Sequence, residues 1–219
     1  MFSLKKAVVL LSGGMDSTTL LYDLVRKGQE VKALSFNYGQ KHKKELEYAK
    51  KTCETLNVEH KIMDLSNIRS LISNSVLIND EEVPEGHYED ESMKATVVPN
   101  RNAIMLSIAI GWAENLKYDS VVIANHGGDH AIYPDCRTDF ISALDLASQL
   151  GTYQKVRIYA PYSEISKTDI ARIGLNLGID YDVTTWSCYK GGEEHCGKCG
   201  TCVERIEAIG EAIEGTIDK

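Results

Sequence analysis

The chain begins with three segments in immediate succession: an apolar run, a glycine-rich turn and an amphipathic segment. Residues 7–11 are apolar over the length of a buried strand, residues 12–17 read SGGMDS, and the pattern that follows predicts a helix from about Asp16 to near Gly28. In this order, glycine lets backbone N–H groups close on an anion at a helix N-terminus, where the helix dipole adds partial positive charge. The start of the chain therefore predicts a phosphate-binding loop in an α/β domain.

SGGMDS differs from the two common phosphate-binding patterns, because the chain contains neither GxxxxGK[S/T] nor GxGxxG. The alternative is a turn that binds no ligand. Ser12, Asp16 and Ser17 surround the two glycines with polar groups, which favours a ligand. Asp16 suits a first-turn acid, a magnesium ligand beside phosphate, or both.

Apolar runs of strand length alternate with helical patterns along the rest of the chain. We predict further strands at residues 31–36, 60–65, 120–124 and 156–159, a long charged helix after residue 40 that buries Cys53, and helices at 102–116, about 135–150 and 166–178. This repetition predicts an α/β fold with an open, Rossmann-like parallel sheet and helices on both faces. Ligands of such sheets bind at the carboxyl ends of the strands, so the loops at 37–40, 98–102 and 125–135 should surround the SGGMDS loop.

Residues 66–98 interrupt this alternation. Their periodicity is weak and acidic residues accumulate at 80–85. A long interval of this kind is typical of a functional loop or a mobile segment. A lid over the nucleotide site and a merely solvated loop are the two alternatives.

Charge and hydropathy favour small-molecule partners. The chain of 219 residues carries 24 Lys and Arg against 32 Asp and Glu, a net charge of −8, so we expect no nucleic-acid partner. No apolar run approaches the roughly 20 residues that span a membrane. The N-terminus leads straight into the first strand without a cleavage-site pattern, and we expect a cytoplasmic protein that has no membrane partner.

Four of the six cysteines are close together near the C-terminus, at Cys188, Cys196, Cys199 and Cys202. Four thiolates favour a closed, structural zinc site, with His195 as a neighbour rather than a ligand. A [4Fe–4S] cluster is the alternative, because CxxCxxC is a common spacing for it, and disulfides are the least expected in the cytosol. We expect residues 186–219 to form a small zinc-binding element packed on an α/β domain of residues 1–185.

Several sequence features resemble one enzyme family. SGGMDSTT at 12–19, VPNRN at 98–102, YPDCR at 133–137 and the four C-terminal cysteines occur in the order typical of the 7-cyano-7-deazaguanine (preQ0) synthase family, a branch of the ATP pyrophosphatase (PP-loop) superfamily. NYGQ at 37–40 is also similar to this family. The resemblance implies an adenine nucleotide alpha hydrolase-like fold and an ATP-dependent C–N ligase of queuosine biosynthesis. Such an enzyme converts 7-carboxy-7-deazaguanine and ammonia to 7-cyano-7-deazaguanine through adenylated intermediates, with Mg²⁺ accompanying ATP.

The resemblance also implies residue roles. Asp16 and Lys167 are assigned to catalysis, Lys167 as the cation that steadies the departing pyrophosphate, with a solvated lysine as the alternative. ATP is assigned to the loop and its flanks, namely Leu11, Ser12, Gly13, Gly14, Met15, Asp16, Ser17, Thr18 and Thr19. The acceptor acid is assigned to Arg101, Asp129, Tyr133, Asp135 and Arg137.

Two of the acceptor assignments have structural alternatives, and Cys136 next to them is given no role. Arg101 suits a carboxylate or a phosphate, or else it pairs with a nearby acid. Asp135 suits the amidine edge of a deazaguanine ring, or else it caps a helix. Cys136 lies near a predicted helix start, where the pKa of a thiol can be lowered, but the proposed chemistry needs no thiol nucleophile.

The chain departs from the family pattern at Asn100, where glycine is usual, and through residues 125–132. These departures leave the acceptor open: a variant that stops at the 7-amido product or uses another acid is one alternative. A tRNA-modifying PP-loop enzyme and a non-catalytic nucleotide-binding module are the others. The family also implies a possible homodimer.

Overall fold

Five parallel strands form the centre of the part of the chain that the structure describes. The computed structural model describes residues 5–88 and 90–217. The strands are β1 (Lys6–Leu10), β2 (Glu30–Asn37), β3 (Glu59–Asp64), β4 (Ser120–Val122) and β5 (Arg157–Tyr159), and they pair in the order β3-β2-β1-β4-β5. Every pairing is parallel, as the βαβ repetition predicts.

Within the described residues, seven helices connect or follow the strands. They are α1 (Met15–Arg26), α2 (Lys44–Leu56), α3 (Arg101–Leu116), α4 (Thr138–Gly151), α5 (Lys167–Asn176), α6 (Tyr181–Thr184) and α7 (Gly200–Ile217). The reversal of strand order beside β1 places the carboxyl end of β1 at the switch point of the sheet. Ligands of doubly wound sheets bind at such a point.

Side-chain alternation on β1 explains why helices cover both faces of the sheet. Val8 and Leu10 belong to one apolar cluster, with residues of α3 and α4, whereas Ala7 and Val9 belong to a second cluster, with residues of α1, α2 and α5. Cys53 lies in this second cluster with 2% of its surface exposed, and burial raises the pKa of its thiol to about 12. The prediction of a core thiol at Cys53 is confirmed.

Two helix boundaries follow from local chemistry. The helix predicted from about Asp135 begins only at Thr138, because residues 134–136 form a 3₁₀ turn and Arg137 is extended. At the end of α5, Gly178 has φ +79° just beyond the last helical turn, so the predicted stop at Gly178 is confirmed.

The segment at 66–98 packs against the sheet and carries two 3₁₀ turns, Ser66–Leu71 and Glu91–Thr96. Its residues Val76, Leu77 and Ile78 are buried in the same apolar cluster as Val8. A merely solvated loop is therefore the wrong description of this segment, although its acidic stretch around Glu81 is exposed.

The C-terminal segment joins the main core through its cysteines. Cys188, Cys199 and Cys202 are buried in the cluster that contains Val8, and α7 packs Ala208 and Ala212 against Ala171 of α5. Among the described residues, no helix combines the length and apolar character that a membrane span requires.

Candidate functional site

The SGGMDS loop closes tightly between β1 and α1. The Ser12 N–H donates to Ser17 Oγ at 3.1 Å, and the Gly14 N–H donates to Ser12 Oγ at 3.2 Å. Gly13 has φ +93°, and a Cβ at this position would lie 2.0 Å from the carbonyl oxygen of Glu45 at the start of α2. Only glycine fits here, so the close approach of α2 fixes the shape of the loop.

The residues assigned to ATP divide into two groups. Leu11, Ser12, Asp16 and Ser17 line a cavity above the sheet. Met15, Thr18 and Thr19 are buried, and Thr19 Oγ1 donates to the carbonyl of Met15 at 2.8 Å. The second group therefore supports α1, while the first is open to a ligand.

Lys167 lies at the start of α5 and reaches the loop. Its Nζ is 2.6 Å from Asp16 Oδ2, 3.3 Å from Glu204 Oε2 and 3.4 Å from His126 Nε2. Burial disfavours the charged form of Lys167, but Asp16, Glu204 and Asp129 outweigh this penalty and raise its pKa. Only 14% of the side chain is exposed, which excludes the solvated-lysine alternative.

The cavity has a volume of about 240 Å³ and lies at the carboxyl ends of the central strands. Tyr38 and Gln40 contribute from the loop after β2, Arg101 from the start of α3, and Asn125 from the end of β4. The three strand-end loops named from the sequence thus all reach the cavity beside the SGGMDS loop.

Arg101 is a cavity-lining cation without a carboxylate partner among the described ion pairs. Its guanidinium lies 5.8 Å from the centre of the Tyr38 ring, and its Nη1 is 3.4 Å from the Tyr38 hydroxyl. Burial disfavours the charged form, but Tyr38, Tyr189 and Asp135 favour it, and the pKa of Arg101 is raised. A charged guanidinium facing a cavity in this way suits a carboxylate or phosphate ligand.

Asp129 and Tyr133 also line the cavity. Asp129 accepts hydrogen bonds from the Tyr88 hydroxyl at 2.9 Å and from the His126 N–H at 3.0 Å. The Tyr133 hydroxyl pairs with Thr96 Oγ1 at 2.8 Å. Both side chains are fixed by protein partners.

Asp135 and Arg137 lie outside the cavity lining. Asp135 Oδ2 accepts from the Asn102 N–H at 2.8 Å, so its carboxylate caps the first turn of α3. Arg137 is exposed, and its Nε donates to the His130 carbonyl at 3.0 Å. Burial raises the pKa of the Cys136 thiol, so the expectation of a lowered pKa is wrong; Asp129 and Asp135 add to the effect.

Asn100 adopts a left-handed conformation, with φ 52°, directly before α3. Glycine reaches this region without strain, and asparagine is among the few other residues that do so readily. The departure from glycine at Asn100 therefore keeps the backbone conformation that presents Arg101.

The four C-terminal thiols form one compact cluster. Their Sγ atoms all lie within 4.8 Å of one another, and Cys196 and Cys202 are 3.9 Å apart. Backbone N–H groups of Lys198 and Cys199 point at Cys196 Sγ, at 3.4 and 3.3 Å. The cluster can hold a metal ion, since such N–H donors stabilise thiolate charge. His195 instead packs on Trp186, with ring centres 4.3 Å apart.

The comparison with protein families decides what kind of chain this is. The family model described as "Queuosine biosynthesis protein QueC" matches residues 6–213. The chain belongs to the QueC family.

Relatives of this QueC chain include proteins named 7-cyano-7-deazaguanine synthase. One from Hahella chejuensis is 58% identical over 93% of this chain and 88% of its own length. One from Caldicellulosiruptor saccharolyticus is 57% identical over 93% and 90%, and one from Methanoregula boonei is 54% identical over 94% and 95%. The family resemblance drawn from the four sequence features is confirmed.

Solved structures support the same fold at low sequence identity. NMN synthetase from Francisella tularensis superposes with a TM-score of 0.53 at 15% identity, covering 87% of this chain and 70% of that one. A 4-thiouridine synthetase in complex with RNA and ATP gives a TM-score of 0.53 at 16% identity, covering 96% and 52%. The predicted fold class of this QueC chain is confirmed.

Sequence reasoning missed three side chains that surround the site. Glu45 lines the cavity, and burial raises the pKa of its carboxyl to about 7. His126 and Glu204 flank Lys167. The one available signal was HGGD at 126–129, where the His126 ring and Asp129 form a capping box. Nothing in the pattern around Glu204 indicated a site, because α7 itself was not predicted.

Proposed function

We propose that this chain is an ATP-dependent ligase that converts 7-carboxy-7-deazaguanine and ammonia to 7-cyano-7-deazaguanine. The observation that carries this proposal is one cavity lined both by the phosphate loop and by Arg101, whose guanidinium has no carboxylate partner among the described residues. The loop is suited to ATP, and Arg101 is suited to an acid held next to it. The names of the relatives supply the product.

We assign ATP to the open part of the loop. Backbone amides of residues 15–17 at the N-terminus of α1 would hold phosphate oxygens, and Lys167 would neutralise charge on the departing pyrophosphate. Asp16 would hold Mg²⁺, which supplies charge neutralisation between the phosphates. Phosphoryl and nucleotidyl transfer need little beyond such positioning and electrostatic stabilisation.

We assign the acceptor to the opposite wall of the cavity. Arg101 would hold the substrate carboxylate, and Asp129 and Tyr133 would border the ring. Asp135 and Arg137 would act indirectly: Asp135 fixes the first turn of α3, which carries Arg101, and Arg137 braces the loop around His130.

The reaction balances with two ATP molecules. A carboxylate oxygen attacks the α-phosphorus, pyrophosphate leaves, and ammonia displaces AMP to give an amide. A second attack by the amide oxygen, followed by loss of AMP, leaves the nitrile. Both carboxylate oxygens therefore leave on AMP, and one nitrile costs two ATP and yields two AMP and two pyrophosphate.

We propose that the thiol cluster holds one zinc ion. A single tetrahedral ion with Zn–S bonds of about 2.3 Å holds its sulfurs about 3.8 Å apart. The 3.9 Å between Cys196 and Cys202 fits this value. A [4Fe–4S] cluster holds thiolates farther apart, because each thiolate binds a different iron. In this proposal residues 186–219 form the zinc-binding segment and residues 1–185 the ATP-binding domain.

Product analysis tests the proposed reaction. The protein is incubated with ATP, Mg²⁺, ammonium and either 7-carboxy-7-deazaguanine or another heteroaromatic acid, and products are identified by mass spectrometry. The proposal predicts the nitrile, AMP and pyrophosphate with the deazaguanine acid alone. An amide as the end product would show that the enzyme carries out only one adenylation. The absence of AMP with every acid would refute the proposed ligase activity.

A further inference from the structure

Glu204 connects the thiol cluster to the phosphate loop. It lies on the first turns of α7, two residues after Cys202, and its Oε2 is 3.3 Å from Lys167 Nζ. The side chains of Glu204 and Lys167 are 17% and 14% exposed. Oε2 is buried and accepts no hydrogen bond among the described residues, so its partner is the lysine charge alone.

His126 lies close to the other carboxylate oxygen of Glu204. Its ring is buried, with 1% exposed, and Nδ1 accepts from the Gly128 N–H at 3.1 Å. Nε2 lies 3.5 Å from Asp129 and 3.7 Å from Glu204. Glu204 is thus held between one lysine and one imidazole, both from other elements.

The start of α7 is itself firmly placed. Thr201 Oγ1 donates to the Ser187 carbonyl at 2.7 Å, and Arg205 Nη1 donates to Thr185 Oγ1 at 2.9 Å. The neighbouring Trp186 N–H donates to the Gly13 carbonyl at 2.9 Å. Through these bonds the turn that carries Glu204 is fixed relative to the phosphate loop.

Lys167 has two carboxylate partners, Asp16 and Glu204, and only Asp16 belongs to the phosphate loop. Asp16 lies in the loop, where the proposed function requires it to bind Mg²⁺ when ATP is present, so it cannot remain a full partner of the lysine. Glu204 and Lys167 both lie outside the cavity lining, and the proposed function gives Glu204 no ligand of its own. Glu204 is therefore the carboxylate that can remain with Lys167 when ATP binds.

We propose that Glu204 is a positioning residue that holds the Lys167 ammonium at the phosphate loop while Asp16 turns to the metal. This inference rests on the proposed function, and it gives the C-terminal segment a role in the ATP site as well as in folding. The charged and titratable groups that face Glu204 are Lys167 and His126, with Asp16 and Asp129 next to them.

The variant Glu204→Gln removes the charge and keeps the shape. Glu207→Gln is the matched control, since Glu207 lies one turn further along α7 with 54% of its side chain exposed. We expect kcat for AMP formation to fall about tenfold or more in E204Q, with KM for ATP changed less than about threefold, because the lysine acts mainly on the departing group. Glu204→Asp should recover part of the loss, and E207Q should match the wild type.

A second readout separates this inference from the proposed function. Affinity for magnesium pyrophosphate, measured by calorimetry, should fall about tenfold in E204Q and stay unchanged in E207Q, whatever the acceptor acid is. Failure of the wild type to form AMP would refute the proposed reaction and leave this comparison intact. Equal pyrophosphate affinity in E204Q and the wild type would overturn the positioning role. Loss of bound metal in E204Q alone would overturn it too, because it would reveal a structural role.

Discussion

Gly13 sets the geometry of the phosphate loop at the scale of a single residue. No side chain fits at Gly13, for two independent reasons. Its φ is +93°, and a Cβ at this position would lie 2.0 Å from the carbonyl oxygen of Glu45. The loop and the start of α2 are therefore in direct backbone contact, and the cavity wall formed by α2 depends on this glycine.

Gly13→Ala should destabilise the protein and weaken ATP binding. The matched control is Gly28→Ala. Gly28 also has a positive φ, of 73°, but a Cβ at this position would have no atom within 4 Å. G28A is expected to cost about 1 kcal/mol, the conformational penalty alone, and G13A at least about 2 kcal/mol more because α2 must shift. Chemical denaturation of both variants gives the comparison. Equal losses of folding free energy in G13A and G28A would contradict the contact between the phosphate loop and α2.

Glu45→Gln should stabilise the protein in a pH-dependent way. Burial raises the pKa of Glu45 from 4.5 to about 7, so the folded protein holds this proton more tightly than the unfolded chain. The cost of the charged carboxylate is therefore absent below about pH 4.5, grows as the pH rises, and is complete above about pH 7, where it reaches up to about 3 kcal/mol. Gln40 Nε2, which donates to Glu45 Oε1, can donate equally to the new amide oxygen.

Melting temperatures of E45Q and the wild type at pH 5 and pH 8 measure this effect. E45Q should melt at a higher temperature at pH 8, and the difference should shrink at pH 5. Glu47→Gln, at an exposed position of the same helix, is the control and should show no such dependence. A pH-independent difference for E45Q would contradict the raised pKa.

At the scale of elements, α5 shows how a local signal places a functional residue. Ser166 Oγ accepts from the Asp169 N–H at 3.1 Å, and Asp169 Oδ2 accepts from the Ser166 N–H at 3.2 Å. This capping box fixes the first turn of α5, where Lys167 is the first helical residue. The three-residue spacing of Ser166 and Asp169 is typical of a capping box and agrees with the helix predicted from residue 166.

Ser166→Ala should cost about 1 kcal/mol of folding free energy, the usual value of an N-cap hydrogen bond. Ser107→Ala is the control, because Ser107 is an exposed mid-helix serine that bonds back to Ala103. Urea denaturation should separate the two variants clearly. If S107A lost as much folding free energy as S166A, the stabilising role of the N-cap at Ser166 would be contradicted.

The helix α7 marks where element prediction from the sequence failed. Its buried residues include the small Ala208 and Ala212 and the polar Thr201 and Arg205, so its apolar periodicity is weak. Its start lies among cysteines and glycines, which are typical of turns. Contact with Ala171 of α5 and the thiol cluster define this helix, and both are tertiary features. Strands β1, β2 and β4 were predictable because their segments are short, largely apolar runs with clear ends, whereas β3 is a mostly exposed edge strand that carries Glu59, Lys61 and Asp64.

At the scale of the whole molecule, the cavity is assembled from distant parts of the chain. The sequence indicated the loop at Ser12, the cation at Lys167 and the cation at Arg101, because each belongs to a recognisable local pattern. It did not indicate Glu45 or Glu204, which reach the site only through the packing of α2 and α7. It left Asp135 between ligand recognition and a helix cap, and in the structure its Oδ2 accepts from the Asn102 N–H at the start of α3.

Removing the metal should affect the whole molecule. Cys188, Cys199 and Cys202 are part of the main apolar cluster, so four unliganded thiols would loosen both the C-terminal segment and the core beneath it. We expect about one zinc per chain by elemental analysis, a melting temperature at least about 10 °C lower after chelation, and recovery on adding zinc back. Bound iron, or an unchanged melting temperature in the metal-free protein, would contradict the zinc assignment.

The fate of the carboxylate oxygens tests the central claim most directly. The protein is given 7-carboxy-7-deazaguanine labelled with ¹⁸O in both carboxylate positions, together with ATP, Mg²⁺ and ammonium, and the AMP is analysed by mass spectrometry. Two successive adenylations predict two AMP molecules per nitrile, each carrying one ¹⁸O in its phosphate. Unlabelled AMP, or a nitrile formed with ADP and inorganic phosphate, would contradict the account.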